Sequence, residues 1–376
     1  MTIKIVTKSA TLDATKLREA LQKVNYLKID EASPVLAFVK VEFAKGKVTL
    51  ITNNLEQIVM VDIAGVSNEA FAILLPGKTT KKFLSGANGS VSITQKRETQ
   101  VSMSRDGIGK INLTTLEESS FPSQPIPWLN LEWHTLDSKW FCLMLRIVGM
   151  ACALEDSRPV LSGISCKDGE MAAANGFRLI ALKDSRLAFG LGGKQAIIPL
   201  KTAILIQKLF AETETLEVAF EDKEETVERV YIKSGNVLML AQLIIGTFPN
   251  YDQLIPKTFK CRASFSAPLL AQRLSMIDGE NLNSGIVRYR ISALGTGEQV
   301  CSISAGNEED FEYKLSCPVT FDGDEAKIAF AYKYILEAAK LFSIVNMEIT
   351  SPSSLGKFTG DIEGLVIMVM PMFVQW

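Results

Sequence analysis

The chain has 376 residues, of which 47% are apolar and 22% charged, and its formal net charge is −2. This length allows two or three domains, and the composition is that of an ordinary globular protein with enough apolar material for several cores. No apolar run reaches the roughly 20 residues that a membrane helix needs. Residues 1–6 alternate like a strand and lack the apolar centre of a signal peptide, so the sequence predicts a cytoplasmic protein.

The cysteines and the single histidine limit the chemistry that the chain can carry. None of the six cysteines belongs to a CxxC pair, so neither a zinc site nor a redox motif is indicated, and we expect small buried residues instead. The one histidine, His134, excludes multi-histidine metal sites and argues against a histidine-based catalytic triad. We therefore expect no metal and no cofactor.

A repeat of about 125 residues runs through the chain. The tripeptide Pro-Val-Leu begins at Pro34 and again at Pro159, and the dipeptide Phe-Pro closes the first two copies at a similar spacing. A fixed internal period indicates tandem copies of one structural unit. We predict three domains, at residues 1–125, 126–256 and 257–376, with proline-containing linkers at 123–127 and 256–258.

Each copy contains two predicted helices. The first is amphipathic, with apolar residues at three- and four-residue spacings, and covers 14–24, 137–148 and 266–277 in the three copies. The second follows a short strand and covers 78–87, 200–212 and 332–343. Pro76 and Pro199 precede the second helix in the first two copies, where proline suits a helix start, whereas Ala331 stands there in the third.

Strand patterns fill most of the remaining sequence. They cover 48–52, 90–94, 100–104 and 110–113 in the first copy, 216–221, 229–233 and 237–243 in the second, and 287–292, 300–304, 312–315, 357–361 and 365–370 in the third. Turns are predicted at 96–99 and 234–236. Because an amphipathic helix must bury its apolar face, the predicted class is α+β, with two helices on one face of each antiparallel sheet.

Positive charge is concentrated in the predicted helices. Six helical windows (14–24, 78–84, 137–148, 200–212, 266–277 and 331–343) together carry +9, and because the whole chain is −2, the remainder carries −11. One explanation is that lysine and arginine are good helix formers on solvated faces. The other is that the helices face a polyanion, whose phosphates they would contact with salt-dependent affinity and without reading bases.

Several motifs resemble, in order and over the whole length, the bacterial DNA polymerase III beta subunit, or sliding clamp, family. They are Pro34-Val35-Leu36, 157–163, 173–179, 246–251, 330–336 and 370–372. The resemblance implies three tandem clamp domains, with antiparallel sheets outside and helices inside. It also implies a head-to-tail homodimer that closes into a ring around duplex DNA, and no catalytic activity.

Two groups of site residues are predicted. Helix position and charge favour DNA contact at Lys23, Lys28, Lys78, Lys81, Lys82, Lys139, Arg146, Arg158, Lys201 and Lys208. The resemblance implies a partner-peptide cleft between the second and third domains, formed by Leu161, Ala174, Gly176, Phe177, Arg178, Leu179, Pro249, Gln253, Leu254, Tyr334, Met368, Val369, Met370, Pro371 and Met372. The alternative is that these residues are inter-domain core.

The resemblance implies four kinds of partner: double-stranded DNA of any sequence, a second copy of the chain, a clamp-loader ATPase, and polymerases and repair proteins that dock short peptides. The loader is expected to be separate, because no Walker-type phosphate loop is present. Where the family commonly ends soon after Met-Pro-Met with an arginine and an aliphatic residue, this chain continues with 373–376. We hypothesise that Trp376 fills part of the cleft, while Arg178 bonds a peptide carbonyl.

The sequence leaves two alternative functions open. An enzyme with carboxylate chemistry would use the acidic runs at 222–225 or 308–310, but both stand beside strand ends and are typical of solvated turns. A monomeric, adhesion-like protein with three tandem domains is the other alternative, and its mass in solution would distinguish it from a ring.

Overall fold

The structure is a computed structural model that describes residues 7–27, 33–122, 131–155, 158–278, 282, 285–307 and 311–376. The predicted strand at 1–6, Lys28, the linker at 123–127 and the acidic run at 308–310 lie outside these residues. The described helices are α1 (Ala14–Val24), α2 (Gly77–Phe83), α3 (Ser138–Gly149), α4 (Leu200–Phe210), α5 (Ala267–Leu274) and α6 (Tyr332–Ala339).

Antiparallel strands make up most of the remaining described chain. The first thirteen are β1 (Lys8–Asp13), β2 (Phe38–Ala44), β3 (Lys47–Asn53), β4 (Gln57–Ser67), β5 (Phe71–Pro76), β6 (Ser90–Arg97), β7 (Gln100–Arg105), β8 (Gly109–Thr114), β9 (His134–Asp137), β10 (Gly163–Lys167), β11 (Glu170–Ala174), β12 (Arg178–Lys183) and β13 (Ala196–Pro199). The others are β14 (Thr215–Lys223), β15 (Thr226–Ser234), β16 (Val237–Gln242), β17 (Cys261–Ser266), β18 (Ile286–Ala293), β19 (Gln299–Asn307), β20 (Phe311–Pro318), β21 (Thr320–Gly323), β22 (Ala326–Ala331), β23 (Ile344–Ile349), β24 (Gly356–Gly360) and β25 (Leu365–Val369).

The chain divides into two compact units, one formed by Met1–Arg146 with Ile198–Ile245 and the other by Ile147–Ile197 with Gly246–Trp376. The predicted second domain is therefore shared by both units. The reason is strand pairing: β16 pairs with β4 of the first copy, and β12 pairs with β25 of the third. The three domain boundaries stay a prediction.

The first unit contains a twelve-stranded sheet with the order β8-β7-β6-β1-β4-β16-β15-β14-β9, from which β2, β3 and β5 branch. Helix α1 packs on β3 and β4 because Leu17, Leu21 and Val24 lie on one face and are buried. Its start is capped by Asp13, whose carboxylate accepts the backbone N–H of Lys16 at 2.9 Å.

The second unit contains a nine-stranded sheet with the order β13-β10-β11-β12-β25-β24-β23-β17-β21 and a four-stranded sheet with the order β20-β19-β18-β22. Helices α5 and α6 pack against each other. Buried aromatic rings form part of the core, since Phe330 lies 6.1 Å from Tyr289 and 5.5 Å from Phe358 between ring centroids.

All six predicted helices are present, but some end earlier than predicted. Helix α2 ends at Phe83 and not at residue 87, because Gly86 adopts a left-handed conformation (φ +64°) that terminates a helix. Helix α6 ends at Ala339 and not at residue 343. The six cysteines are buried and free, as expected. Among the described residues, no helix is long and apolar enough to cross a membrane.

Candidate functional site

The pairing of β12 with β25 brings together the largest group of predicted cleft residues. Arg178 lies opposite Val369, and Leu179 lies opposite Met368. A tight turn precedes β12: the side-chain oxygen of Asn175 accepts the backbone N–H groups of Phe177 and Arg178, both at 3.0 Å. This turn requires a left-handed residue, which Gly176 supplies with φ +86°.

Arg178 is the most constrained polar side chain in this group. Its guanidinium carbon lies 4.6 Å from the centre of the Tyr334 ring, and the side chain is only 9% exposed. One terminal nitrogen forms an ion pair with Glu337 and the other donates to the carbonyl of Met150. Both terminal nitrogens thus have acceptors within the chain, while the Arg178 Nε–H is buried and has no hydrogen-bond acceptor among the described residues.

A polar network holds the loop that carries Pro249, Gln253 and Leu254. The Tyr251 hydroxyl donates to Glu170 at 3.1 Å, and the Lys183 ammonium lies 2.9 Å from Glu170 and 3.3 Å from Asp252. Hydrogen bonds to these two carboxylates raise the pKa of Lys183, and burial together with the Glu170 charge raises the pKa of Tyr251. The loop is therefore fixed to β11 and β12.

The fifteen predicted cleft residues divide by exposure. The buried members are Leu161, Leu179, Tyr334, Met368, Val369 and Pro371, and the partly buried members are Ala174, Arg178 and Met372. The exposed members are Gly176, Phe177, Pro249, Gln253, Leu254 and Met370. Phe177, Leu254 and Met370 present large apolar side chains to solvent, and both the cleft and the inter-domain core alternative stay predictions.

The C-terminal residues contact the edge strand β22. The backbone N–H of Met372 donates to the carbonyl of Ala329 at 2.8 Å, and the ammonium of Lys327 lies 5.2 Å from the centre of the Trp376 ring. Lys327 is not one of the fifteen cleft residues. Because the Trp376 ring contacts Lys327 of β22, deletion of 373–376 tests the hypothesis that Trp376 fills part of the cleft.

The residues predicted to contact DNA lie mainly on helices. Lys23 is in α1, Lys78, Lys81 and Lys82 are in α2, Lys139 and Arg146 are in α3, and Lys201 and Lys208 are in α4. Lys23 is half-buried and the other seven are exposed. Arg158 is exposed just before a short 3-10 helix at Pro159–Leu161, and Lys28 lies outside the described residues.

Sequence reasoning missed the acidic partners of two predicted site residues. Glu337 pairs with Arg178, and Glu56 pairs with Lys201. Glu337 stands three residues after Tyr334, so the two share a helix face, and this spacing was an available signal. The Asn175 turn is also encoded locally, because asparagine side chains commonly accept backbone N–H groups two and three residues ahead.

The acidic run at 222–225 lies where β14 turns into β15, as expected for a solvated hairpin. Within the residues that the structure describes, no group of three or more His, Cys, Asp or Glu side chains is placed to hold a metal ion.

Comparisons with known proteins agree with this architecture. Residues 135–250 match the family model "DNA polymerase III beta subunit, central domain". The chain is 24% identical to the beta sliding clamp of Escherichia coli K12 over 357 residues, which cover 90% of this chain and 92% of that protein. It is 22% identical to the beta sliding clamp of Staphylococcus aureus, covering 84% of this chain and 85% of the relative.

The solved structures show the same fold. The DNA polymerase sliding clamp from Bacillus subtilis superposes with a TM-score of 0.86 at 17% identity, covering 98% of this chain and all of that one. The beta subunit from Streptococcus pyogenes gives a TM-score of 0.85 at 19% identity, with 97% and 100% coverage. The predicted fold class, α+β with tandem clamp domains, is confirmed. The matched central domain, the similarity along most of the sequence and the shared fold all make this chain similar to bacterial DNA polymerase III beta subunits, or beta sliding clamps.

Proposed function

We propose that this chain is a DNA sliding clamp, a processivity factor that encloses duplex DNA and tethers polymerases to it. The observation that carries the proposal is the match to clamp structures over 98% of the chain, combined with the cationic helices. The predicted contact residues on these helices are lysines and an arginine. A protein that encloses DNA needs only weak contacts to phosphates, because topology and not affinity retains it.

The DNA-facing surface in this proposal consists of exposed lysine and arginine side chains on α1 to α4. Helix α2 is the most basic of these, with three lysines among seven residues and no carboxylate. Flexible ammonium groups suit a sliding contact, since they bind phosphates as point charges and read no base edges. The DNA partner would therefore be bound without sequence preference.

The second part of the proposal is a peptide cleft at the junction of β12 and β25. Phe177, Leu254 and Met370 each expose a large apolar side chain, and methionine adapts readily to different partners. The Arg178 guanidinium packs against the Tyr334 ring in a cation–π contact. Short peptides of polymerases and repair proteins would place apolar side chains on this surface.

The assembly and the partners complete the proposal. Two chains associate head to tail as a closed ring, and a separate clamp-loader ATPase opens it. The chain has no catalytic activity of its own. Because its partner is chromosomal DNA, it acts in the cytoplasm at the nucleoid.

Light scattering tests the assembly. The expected mass at micromolar concentration is twice the 41.3 kDa of one chain. A mass of one chain under these conditions would contradict a closed homodimer and favour the adhesion-like alternative. A primer-extension assay with the host polymerase tests tethering: product length should increase with the clamp present and should fall when Met370→Ser removes part of the cleft surface.

A further inference from the structure

A second junction in the molecule repeats the geometry of the peptide cleft. It lies entirely in the first unit, where β3 ends, a turn follows and β4 begins. The side-chain oxygen of Asn54 accepts the backbone N–H groups of Glu56 at 3.2 Å and Gln57 at 2.7 Å. Asn175 makes the same two bonds to the residues at the same distances along the chain. The Asn54 N–H donates to the Gln57 carbonyl, as the Asn175 N–H does to Arg178.

The elements around the two turns also correspond. Gln57 opens β4 and lies opposite Ala241 of β16, as Arg178 opens β12 and lies opposite Val369 of β25. The next residue along each partner strand bonds to the turn. The backbone N–H of Gln242 donates to the carbonyl of Glu56, and that of Met370 donates to the carbonyl of Phe177, both at 2.8 Å.

The helices correspond in the same way. The third residue of α4, Thr202, accepts a hydrogen bond from the Gln57 side-chain amide at 2.8 Å. The third residue of α6, Tyr334, receives the Arg178 guanidinium on its ring. The same two positions therefore touch at both junctions, although their chemistry differs. The Gln57–Thr202 contact is neutral and buried, whereas the corresponding Arg178–Tyr334 contact includes a positive charge.

A cavity of about 450 Å³ is lined by Gln57 and by residues of the turn before it and of α4, and we call it the α4 groove. Its apolar walls include Tyr26, Leu55, Ile204 and Leu205, and its rim carries Lys201 and Lys208. Leu55 is 54% exposed and Ile204 is 44% exposed. Exposed apolar side chains do not help to bind phosphates, so DNA contact by the two lysines leaves this part of the groove unexplained.

The backbone of Leu55 gives a second indication. This leucine has φ +75°, a left-handed conformation that side chains with a Cβ atom rarely adopt. Its counterpart is Gly176, which adopts φ +86° without strain. An exposed leucine in a strained position contributes little to the core. Strained backbone positions of this kind cluster at ligand-binding and switch regions.

We propose that the α4 groove is a second peptide-docking site, which binds a short extended peptide with apolar side chains and a carboxylate. Glu56 neutralises Lys201, while Lys208 makes no ion pair among the described residues and is free to receive the carboxylate. The inference rests on the peptide-docking part of the proposed function, because it takes the repeated geometry to serve the same kind of ligand.

The test is a titration of the full-length protein, with its isoleucine and leucine methyl groups isotope-labelled, with an acetylated, amidated peptide of alternating leucine and aspartate. We expect saturable shifts at Leu55 and Ile204 with a dissociation constant below about 1 mM, the weak end of specific binding. A control peptide with asparagine in place of aspartate should bind at least about fivefold more weakly, a difference near 1 kcal/mol. Absence of shifts at 2 mM peptide, or equal binding of both peptides, would overturn the proposal.

Variants separate this site from the cleft and from DNA. Leu55→Gly removes the apolar wall and relieves the backbone, so peptide affinity should fall while the melting temperature does not. Val66→Ser, which alters an exposed residue of the same strand β4, is the control and should change neither. Phe177→Ser should weaken only the peptide-induced shifts at the cleft. If peptide binds the α4 groove but not the cleft, peptide docking at the cleft is rejected and the groove proposal is retained. Shifts caused by a short DNA duplex and not by the peptide would replace the proposal with a nucleic-acid surface.

Discussion

Glu337→Gln removes the negative charge from an ion pair whose arginine is largely buried, and it keeps the shape of the side chain. Arg178 is 9% exposed and Glu337 is 39% exposed. Opposite unit charges about 4 Å apart attract by about 4 kcal/mol at the effective dielectric of a protein site and by about 1 kcal/mol in water. Because Glu337 is partly solvated and glutamine still offers a neutral acceptor, we expect a loss of about 2 kcal/mol in unfolding free energy.

The chain provides a matched control for this substitution. The Lys201–Glu56 pair lies beside α4 in the first unit, and its side chains are 58% and 51% exposed. Exposed pairs contribute little, so Glu56→Gln should cost less than about 0.5 kcal/mol.

Urea unfolding followed by far-ultraviolet circular dichroism measures both variants. Equal losses in the two, or no loss in Glu337→Gln, would refute the reasoning that burial of Arg178 makes its pair important. Peptide binding gives a second measurement: since Arg178 supports Tyr334, Glu337→Gln should weaken binding at the cleft, and Glu56→Gln should not.

Three further predictions follow from the described contacts. The native cysteines should be inert to a thiol reagent at pH 8 and react only after unfolding, because burial raises the thiol pKa to about 11 at Cys142 and about 12 at Cys166; rapid reaction of one native thiol would contradict this. Replacing the three α2 lysines by glutamine should lower the slope of log affinity against log salt for a linear duplex by up to about 2.7, and an unchanged slope would exclude α2 from DNA contact. Deleting 373–376 removes an exposed cation–π contact with Lys327, worth about 0.5–1 kcal/mol. The deletion should leave peptide affinity at the cleft unchanged. A change in that affinity in either direction would support the hypothesis that Trp376 fills part of the cleft.

The helices could be predicted well from the sequence because their signals are local. Helix α1 has the predicted limits of 14–24, since its apolar residues recur at helical spacing and Asp13 caps its start. The hairpin of β15 and β16 was equally readable from the turn at 234–236. The repeat also placed the second helices correctly in each copy, because a strand and usually a proline precede them.

The junctions could not be predicted because they depend on distant residues. Strand β4 pairs with β16 across more than 170 residues, and Arg178 meets Glu337 159 residues later. No local pattern specifies such pairings, so the division of the predicted second domain between two units was not foreseen. The α4 groove was missed for the same reason: the motif that resembled the family lies around Arg178, while its structural counterpart around Gln57 has different side chains.

Retention on circular DNA tests the central claim most directly. The protein, labelled and loaded onto a nicked circular plasmid by its cognate clamp loader, is separated from free protein by gel filtration, and the DNA is then cut once. A clamp that encloses DNA remains with the intact circle in high salt and leaves within the time of linearisation. Protein that dissociates from the circle as readily as from the linear form, or that stays bound after cutting, would contradict the account.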